Sequence, residues 1–367
     1  MIIKNGEVFQ EDGSFLVQEL YVENHKIVAS EAEVTDKTVI DATGLKGIPG
    51  LVDVHSHGAF GHDFSDADPE GLKVILKYEK NHGITSYCPT SMTLPAEELK
   101  EIFSTIKTVG EMKEGAFVRG INMEGPFLDA KKKGAHVEKY ICRPDAGFFR
   151  ELNEYSGNMV KLVTLAPNVE GAMEFIDEVH DEVCISLGHT AADYDTSAEA
   201  MRRGAHHVTH LYNAMQPLAH RNPGLIGAAR DDEQCMVEMI CDGIHIHPSV
   251  IRATFKMFGP ERVILISDSM MATGMENGTY QLGGQEVTMK DCKATLKDGT
   301  IAGSATNLYD CMRKAVSFGV PLDEAIFAAT RNPAKSIGIY DKVGSLSVGK
   351  EADILLVTEE LELKEVL

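Results

Sequence analysis

Eight apolar runs rich in β-branched residues recur along the middle of the chain: "GLVDVHSH", "GITSYCPTSM", "FVRGINMEGP", "VKLVTLAPN", "VCISLGHT", "HHVTHLYNAM", "MVEMICDGIH" and "RVILISDSM". Helical patterns separate most of them, among them "DPEGLKVILKYEKNHG", "PAEELKEIFSTIKTVGEM", "VEGAMEFIDEVHDE" and "DTSAEAMRRG". A strand covered on both faces reads as a nearly continuous apolar run, and parallel neighbours need a crossover that is usually a helix. Eight such βα units in succession predict an α/β fold of the TIM (β/α)8 barrel type. The link after the sixth run, "QPLAHRNPGLIGAARDDEQ", is rich in Pro and Gly and only weakly helical. After the eighth comes "NGTYQLGGQEVTMKDCKATLKDGTIAG", which reads as inserted β-hairpins ahead of the helical "SATNLYDCMRKAVSFG".

The two ends differ from the middle. Residues 1–48 contain short β-like pieces, "MIIKNGEVF", "QELYVENHKIVAS" and "KTVIDATG", and the segment from Val343, "VGSLSVGKEADILLVTEE", matches them in style. We expect a small β-sandwich domain built from both termini, residues 1–48 and 343–367, with the barrel at 49–342. At 367 residues the chain exceeds what one core usually fills, which suits that division.

Charge narrows the partners. Fifty-six acidic against 35 basic residues give a net charge of −21, which argues against nucleic-acid or anionic-membrane binding. An anionic substrate would need a local cluster of donors. No apolar run reaches transmembrane length, and the N-terminus lacks the apolar core of a signal peptide. Seven cysteines with no CxxC spacing read as reduced thiols, so a cytoplasmic protein is expected.

Polar residues recur at the C-terminal ends of these strands: His55 and His57 on the first, Glu124 on the third, His189 on the fifth, His210 on the sixth and Asp268 on the eighth. In a barrel those ends converge on one mouth, where catalytic groups sit. A lone strand-end histidine is more often a hydrogen-bonded structural residue. Six groups on five strands at one end instead form a nitrogen and oxygen donor set suited to a metal ion, which relieves the cost of unpaired buried charge. Asp53, alternating with His55 and His57, is expected on the same strand face, and two roles stay open for it: orienting a neighbouring imidazole, or a direct part in the site. His206, His207, His220 and His247 are read as structural, His62 as a loop residue, and Lys131 to Lys133 as a solvated loop.

The HxH on the first strand, the single histidines on the fifth and sixth, and the aspartate on the eighth resemble the amidohydrolase superfamily. More narrowly, "MEGPF", "KKKGAH", "SLGHT", "THLYNAM", "DGIHIHP" and "ISDSM", in that order, resemble the N-acetylglucosamine-6-phosphate deacetylase family. The resemblance spans essentially the whole chain. It implies that Glu124, His189 and His210 hold a principal divalent metal, Zn2+ or Fe2+. His55 and His57 would hold a second ion with Glu124 as bridge, giving one or two ions per subunit. Asp268 matches the acid/base at the metal, and His136, beside Ala135, a histidine that contacts the substrate amide. Asn213, Ala214, Arg221, the Asp242, Gly243, Ile244 and His245 stretch, and Ile301, Ala302 and Gly303 resemble the contacts to an amino-sugar phosphate. The matching arginine in the family reaches a neighbouring subunit, so a homodimer with shared sites is implied.

Two other readings stay open. One is the galacto epimer of the sugar, or another amidohydrolase reaction such as cyclic-amide hydrolysis. Many such enzymes need a carboxylated lysine on the fourth strand, and Lys161 sits at the wrong end of its strand. The other is a non-enzymatic scaffold, disfavoured because every expected ligand is present.

Overall fold

All eight expected strands form: Leu51–Ser56 (β1), Ile84–Ser91 (β2), Ile121–Glu124 (β3), Val160–Leu165 (β4), Cys184–Leu187 (β5), His207–Val208 (β6), Met236–Ile240 (β7) and Val263–Ile266 (β8). The computed structural model describes residues 1–109 and 114–367. Each strand pairs in parallel with the next, from β1 round to β8. Two main-chain bonds join the far side: Asp268 N–H donates to His55 O at 2.9 Å, and His57 N–H to Ser269 O at 2.8 Å. The result is a TIM barrel whose ends gather at one mouth.

The helices follow capping rules. Helix α1, Pro69–Asn81, has Pro in its first turn and an Asp68 cap that accepts from Glu70 N–H. Its buried Leu72, Ile75 and Leu76 recur at helical spacing and face the barrel. Helix α2, Ala96–Val109, follows the expected pattern, whose last residues, 110–112, lie outside the described residues. Asp145, Asp193, His247 and Asn307 cap the helices Ala146–Ser156, Tyr194–Arg202, Pro248–Phe258 and Leu308–Ser317. The weakly helical link contains a regular helix, Gly224–Asp231, because Leu225, Ile226, Ala228 and Ala229 supply a buried stripe that outweighs its glycines. No helix among the described residues is long and apolar enough to cross a membrane.

Inside the barrel, Val52, Val54, Leu162, Ile240, Ile264 and Ile266 form an apolar floor that Ala334, Ile337 and Ile339 close. The polar strand ends stand above it. The segment after β8 folds as an antiparallel three-stranded sheet, Gly278–Leu282, Gln285–Lys290 and Lys293–Thr295, as expected. Both termini join in a small β-sandwich. Its five-stranded sheet includes Lys46–Pro49 and Ile354–Val357, and a four-stranded sheet contributes to the same core through Ile3, Leu20, Val22 and Ile27.

One local expectation is corrected. Between Asp53 and Ser56, β1 takes three steps while its partner β2 takes two, from Tyr87 to Pro89. That extra residue breaks the period of two, so alternation no longer places Asp53 on the face of His55 and His57.

Candidate metal centre and active site

Glu124, at the end of β3, is the hub of the mouth. Its Oε1 lies 3.0 Å from His189 Nε2, 3.0 Å from His210 Nε2 and 3.5 Å from His55 Nε2. Its Oε2 lies 3.2 Å from His57 Nε2 and 3.3 Å from His136 Nε2. The carboxylate therefore turns one oxygen to the His189 and His210 pair and the other toward His57. Asp268 Oδ1 stands 3.4 Å from His57 Nε2 and 3.6 Å from His55 Nε2. All seven of these side chains are buried.

Three of the side chains are aimed by unusual backbone. His189, His210 and Asp268 have φ of 46°, 25° and 48°, in the left-handed region that non-glycine residues rarely enter. Each lies two positions beyond the last residue of its strand, where the turn lifts the side chain into the mouth. Strain of this kind collects at functional sites because the surrounding fold over-determines it.

Hydrogen bonds on the far ring nitrogens decide what each imidazole presents. His57 Nδ1 meets Thr90 O at 3.1 Å and His189 Nδ1 meets Lys132 O at 2.9 Å, so both rings carry Nδ1–H and turn an Nε2 lone pair inward. His55 Nδ1 meets the Glu238 carboxylate at 2.9 Å, with the same consequence, and its buried Nε2 has no hydrogen-bond partner among the described residues. His136 is the reverse. Its Nδ1 accepts Thr93 N–H at 3.1 Å, which leaves the proton on Nε2. Of the mouth imidazoles, His136 therefore presents a donor where His55, His57 and His189 present lone pairs.

The donor set fits a metal ion. His189 Nε2 and His210 Nε2 approach to 3.0 Å, a contact that a shared cation would relieve. Burial opposes charge on His55 and His57, yet Glu124 with Glu238, and Asp268 with Glu124, pull the two rings toward the cationic form, His57 to about 10. Burial would raise Glu124 and Asp268, but the surrounding imidazoles hold both carboxyls low. The mouth thus demands positive charge. Burial pushes His136 down to about 4, which keeps its ring neutral. Two groups of donor atoms converge closely enough to bind an ion, His55, His57 and Asp268 in one and Glu124, His136 and His189 in the other. In the second, the Nε2 proton of His136 makes His210 the better nitrogen donor.

A cavity of about 500 Å³ opens over these groups. Of the residues expected at the site, it is lined by His57, Glu124, Ala135, His136, His189, His210, Asn213, Ala214, His245, Asp268, Ile301 and Gly303. His55 lies just behind His57. Asp242 does not line the cavity but holds His245 through its ring at 2.7 Å and through main-chain N–H groups at Ile244 and His245. Gly243, Ile244 and Ala302 also lie off the cavity wall. Arg221 is not brought into its own chain's cavity; it is exposed and contacts His220 at 2.8 Å. The Asn213 main-chain N–H is already donated to His210 O at 3.0 Å, so it is not free to cradle an anion here.

Sequence reasoning missed or misread several residues. Lys131, Lys132 and Lys133 line the cavity from an Asp129-capped turn in which Lys131 is exposed and Lys132 and Lys133 are half-buried, so the solvated turn also borders the site. Asp53 bonds no imidazole ring among the described residues. Its Oδ1 accepts from His55 N–H at 3.2 Å and Ser267 N–H at 3.5 Å, and burial raises its carboxyl to about 7. The carboxylate that orients a mouth imidazole is Glu238, which bonds His55 Nδ1 and whose signal was a lone acid inside the apolar "MVEMI". His207 and His247 are structural as expected: His207 bonds Ser186 Oγ at 2.8 Å, and His247 caps a helix.

Residues 48–366 match the model of the amidohydrolase family. The N-acetylglucosamine-6-phosphate deacetylase of Bacillus subtilis is 35% identical, covering 98% of this chain and 91% of its own. The human enzyme of that name is 32% identical over 99% of this chain and 91% of its own. A mutant of the Mycobacterium smegmatis deacetylase, solved in complex with N-acetyl-D-glucosamine-6-phosphate, superposes with a TM-score of 0.91 at 31% identity, covering 100% of this chain and 97% of that one. The chain belongs to the amidohydrolase family, in the company of its N-acetylglucosamine-6-phosphate deacetylases.

Proposed function

We propose that the chain hydrolyses N-acetyl-D-glucosamine 6-phosphate to D-glucosamine 6-phosphate and acetate, working as a cytoplasmic homodimer with Zn2+ or Fe2+ at the mouth. The observation that carries this is the pairing of one proton-bearing imidazole, His136, with lone-pair imidazoles and a buried aspartate around a single cavity. A divalent ion held by Glu124, His189 and His210, and a second by His55 and His57, would supply an acidified water nucleophile and Lewis-acid polarisation of the amide carbonyl. Asp268 takes the water proton on its carboxylate and returns it to the departing sugar nitrogen, because an amide anion is too basic to leave unprotonated. His136 donates Nε2–H to the carbonyl oxygen as it gains charge.

The phosphate calls for donors at the far end of the cavity. His245, held by Asp242, and the ammonium groups of the Lys131 to Lys133 turn supply them, with the Ala214 main chain. Arg221 serves the partner's site, a role its exposed position in its own chain supports. Mixing Arg221→Ala with Asp268→Asn chains then restores about a quarter of wild-type activity through one complete site per mixed dimer, whereas action within one chain restores none.

The galacto epimer differs from this sugar by the configuration of one hydroxyl and is the competing substrate. Acetate release from N-acetylglucosamine 6-phosphate, its galacto epimer and unphosphorylated N-acetylglucosamine, with metal content on the same preparation, tests the reading. The gluco phosphate should be turned over best. The neutral sugar should lose about one to two decades in kcat/KM per lost charged contact. Equal rates on the neutral sugar overturn the phosphate assignment, and a metal-free preparation with full activity overturns the mechanism.

A further inference from the structure

We infer that Glu238 is a positioning residue that locks the two halves of the metal centre to each other. This rests on the proposed metal site and goes beyond it. Glu238 projects from β7 into the barrel, fully buried beneath the ligand histidines. One oxygen, Oε2, performs two tasks: it takes the His55 Nδ1–H at 2.9 Å and the main-chain N–H of His210 at 3.1 Å. The Glu238 main-chain carbonyl also takes Leu211 N–H at 2.8 Å, so the turn carrying His210 is tied to β7 on both sides. The other oxygen, Oε1, has no partner among the described residues, and His207 Nδ1 stands off at 3.9 Å.

The choice of a carboxylate is informative. His57 and His189 are oriented by main-chain carbonyls, Thr90 O and Lys132 O, which any residue supplies. The His55 ring alone among these three is oriented by an ionisable side chain. A buried carboxylate costs far more than a carbonyl unless its charge does something. Here it raises the electron density of the His55 ring and fixes its tautomer, so that the orphaned Nε2 offers a strong lone pair. The same oxygen holds His210, which sits in the left-handed region at φ 25°. Removing it frees a ligand from each proposed ion at once.

The test is a titration of Co2+ into metal-free protein, followed by its visible absorption, for wild type, Glu238→Gln and Glu79→Gln. Glu79 is an equally buried acid with no hydrogen-bond partner among the described residues and no contact to a ligand histidine, so it controls for loss of a buried carboxylate. We expect Glu238→Gln to weaken Co2+ binding about 10- to 100-fold and alter the spectrum, with Glu79→Gln like wild type. A merely structural role would lower the melting temperature of the metal-free protein but leave affinity and spectrum unchanged, and that result overturns the proposal. If Glu238→Gln does not fold, Glu238→Asp carries the same expectation, since its shorter side chain cannot reach both His55 and His210. Wild-type protein that binds no Co2+ refutes the metal site itself and is thereby distinguished from failure of the Glu238 role.

Discussion

Among the described residues, two clusters bring histidine and carboxylates within metal-binding distance, at opposite ends of the barrel. At the mouth are His55, His57, His136, His189 and His210 with Glu124 and Asp268; at the other end are His25, Glu351 and Asp353. They differ in what else is present. Arg119, just before β3, bonds both Glu351 oxygens and lies 3.7 Å from Asp353. Its Nε is held by Ser86 Oγ at 3.0 Å, and its guanidinium lies over the Phe117 ring. A permanent cation already answers those two acids, so the cluster is a strut between the small domain and the barrel. Among the described residues the side chains that meet Glu124 and Asp268 at the mouth are imidazoles, so the carboxylate charge is answered by a proton on those rings or by an ion bound there, not by a permanent cation. Proximity of His and acid is therefore a weak sign of a metal site. The better sign is that, among the described residues, no arginine or lysine pairs with the carboxylates themselves.

The largest effect expected from this contrast is at Asp268. Asp268→Asn should lower turnover by about 10²- to 10⁴-fold while metal content, measured by elemental analysis, stays near wild type, because Asn coordinates weakly but cannot shuttle a proton. A variant retaining wild-type kcat removes Asp268 from the mechanism. The next effect separates the clusters directly. His57→Asn should lower metal stoichiometry by up to one ion per chain, leaving the ion held by Glu124, His189 and His210, whereas His25→Gln should change nothing. Loss of all metal in His57→Asn contradicts the division of ligands, and loss in His25→Gln erases the distinction between the ends.

The contrast also marks what the sequence could reveal. The eight strands were legible because burial on both faces forces continuous apolar runs. The ionisable groups that gather at the mouth were legible because such a residue at the end of an apolar run is costly to bury unless something answers its charge. Asp53 was misjudged because a bulge between Asp53 and Ser56 is set by the register against β2, a long-range fact. Glu238 was overlooked because one acid in "MVEMI" has no local partner; His55 lies 183 positions away. The orientation of His136 depends on the main-chain N–H of Thr93, which carries no side-chain signature. Arg119 sits within the run "FVRGINMEGP", and its partner Glu351 lies 232 positions away. The lysine turn is solvated as its charge suggests, but its place at the cavity rim depends on long-range packing that the run itself does not reveal.

A smaller effect is expected when the resident cation is removed. Arg119→Ala should destabilise the fold by about 2 kcal/mol, since it leaves the mostly buried Glu351 and Asp353 carboxylates without their guanidinium. Denaturant midpoints measure this, with kcat and metal content unchanged. A drop in metal content instead would mean that the strut holds the mouth in shape across the length of the barrel.

The smallest effect is a pH dependence at His25. Its hydrogen bond to Asp353, 3.2 Å from Nε2, raises the imidazole above its ordinary 6.5 against the opposing effect of partial burial. A group whose folded value is raised binds its proton more tightly in the folded state. Its contribution is therefore complete below about pH 6.5 and fades as pH rises through the raised value. The ring is half exposed and the pair is screened, which limits the contribution to a few tenths of a kcal/mol, falling further with added salt. Comparing wild type with His25→Gln, the stability gap should be widest near pH 6 and close by about pH 9. A gap that does not vary with pH would make the contact a neutral hydrogen bond, and one that widens with pH would reverse the sign and leave Arg119 as the only cation that cluster needs.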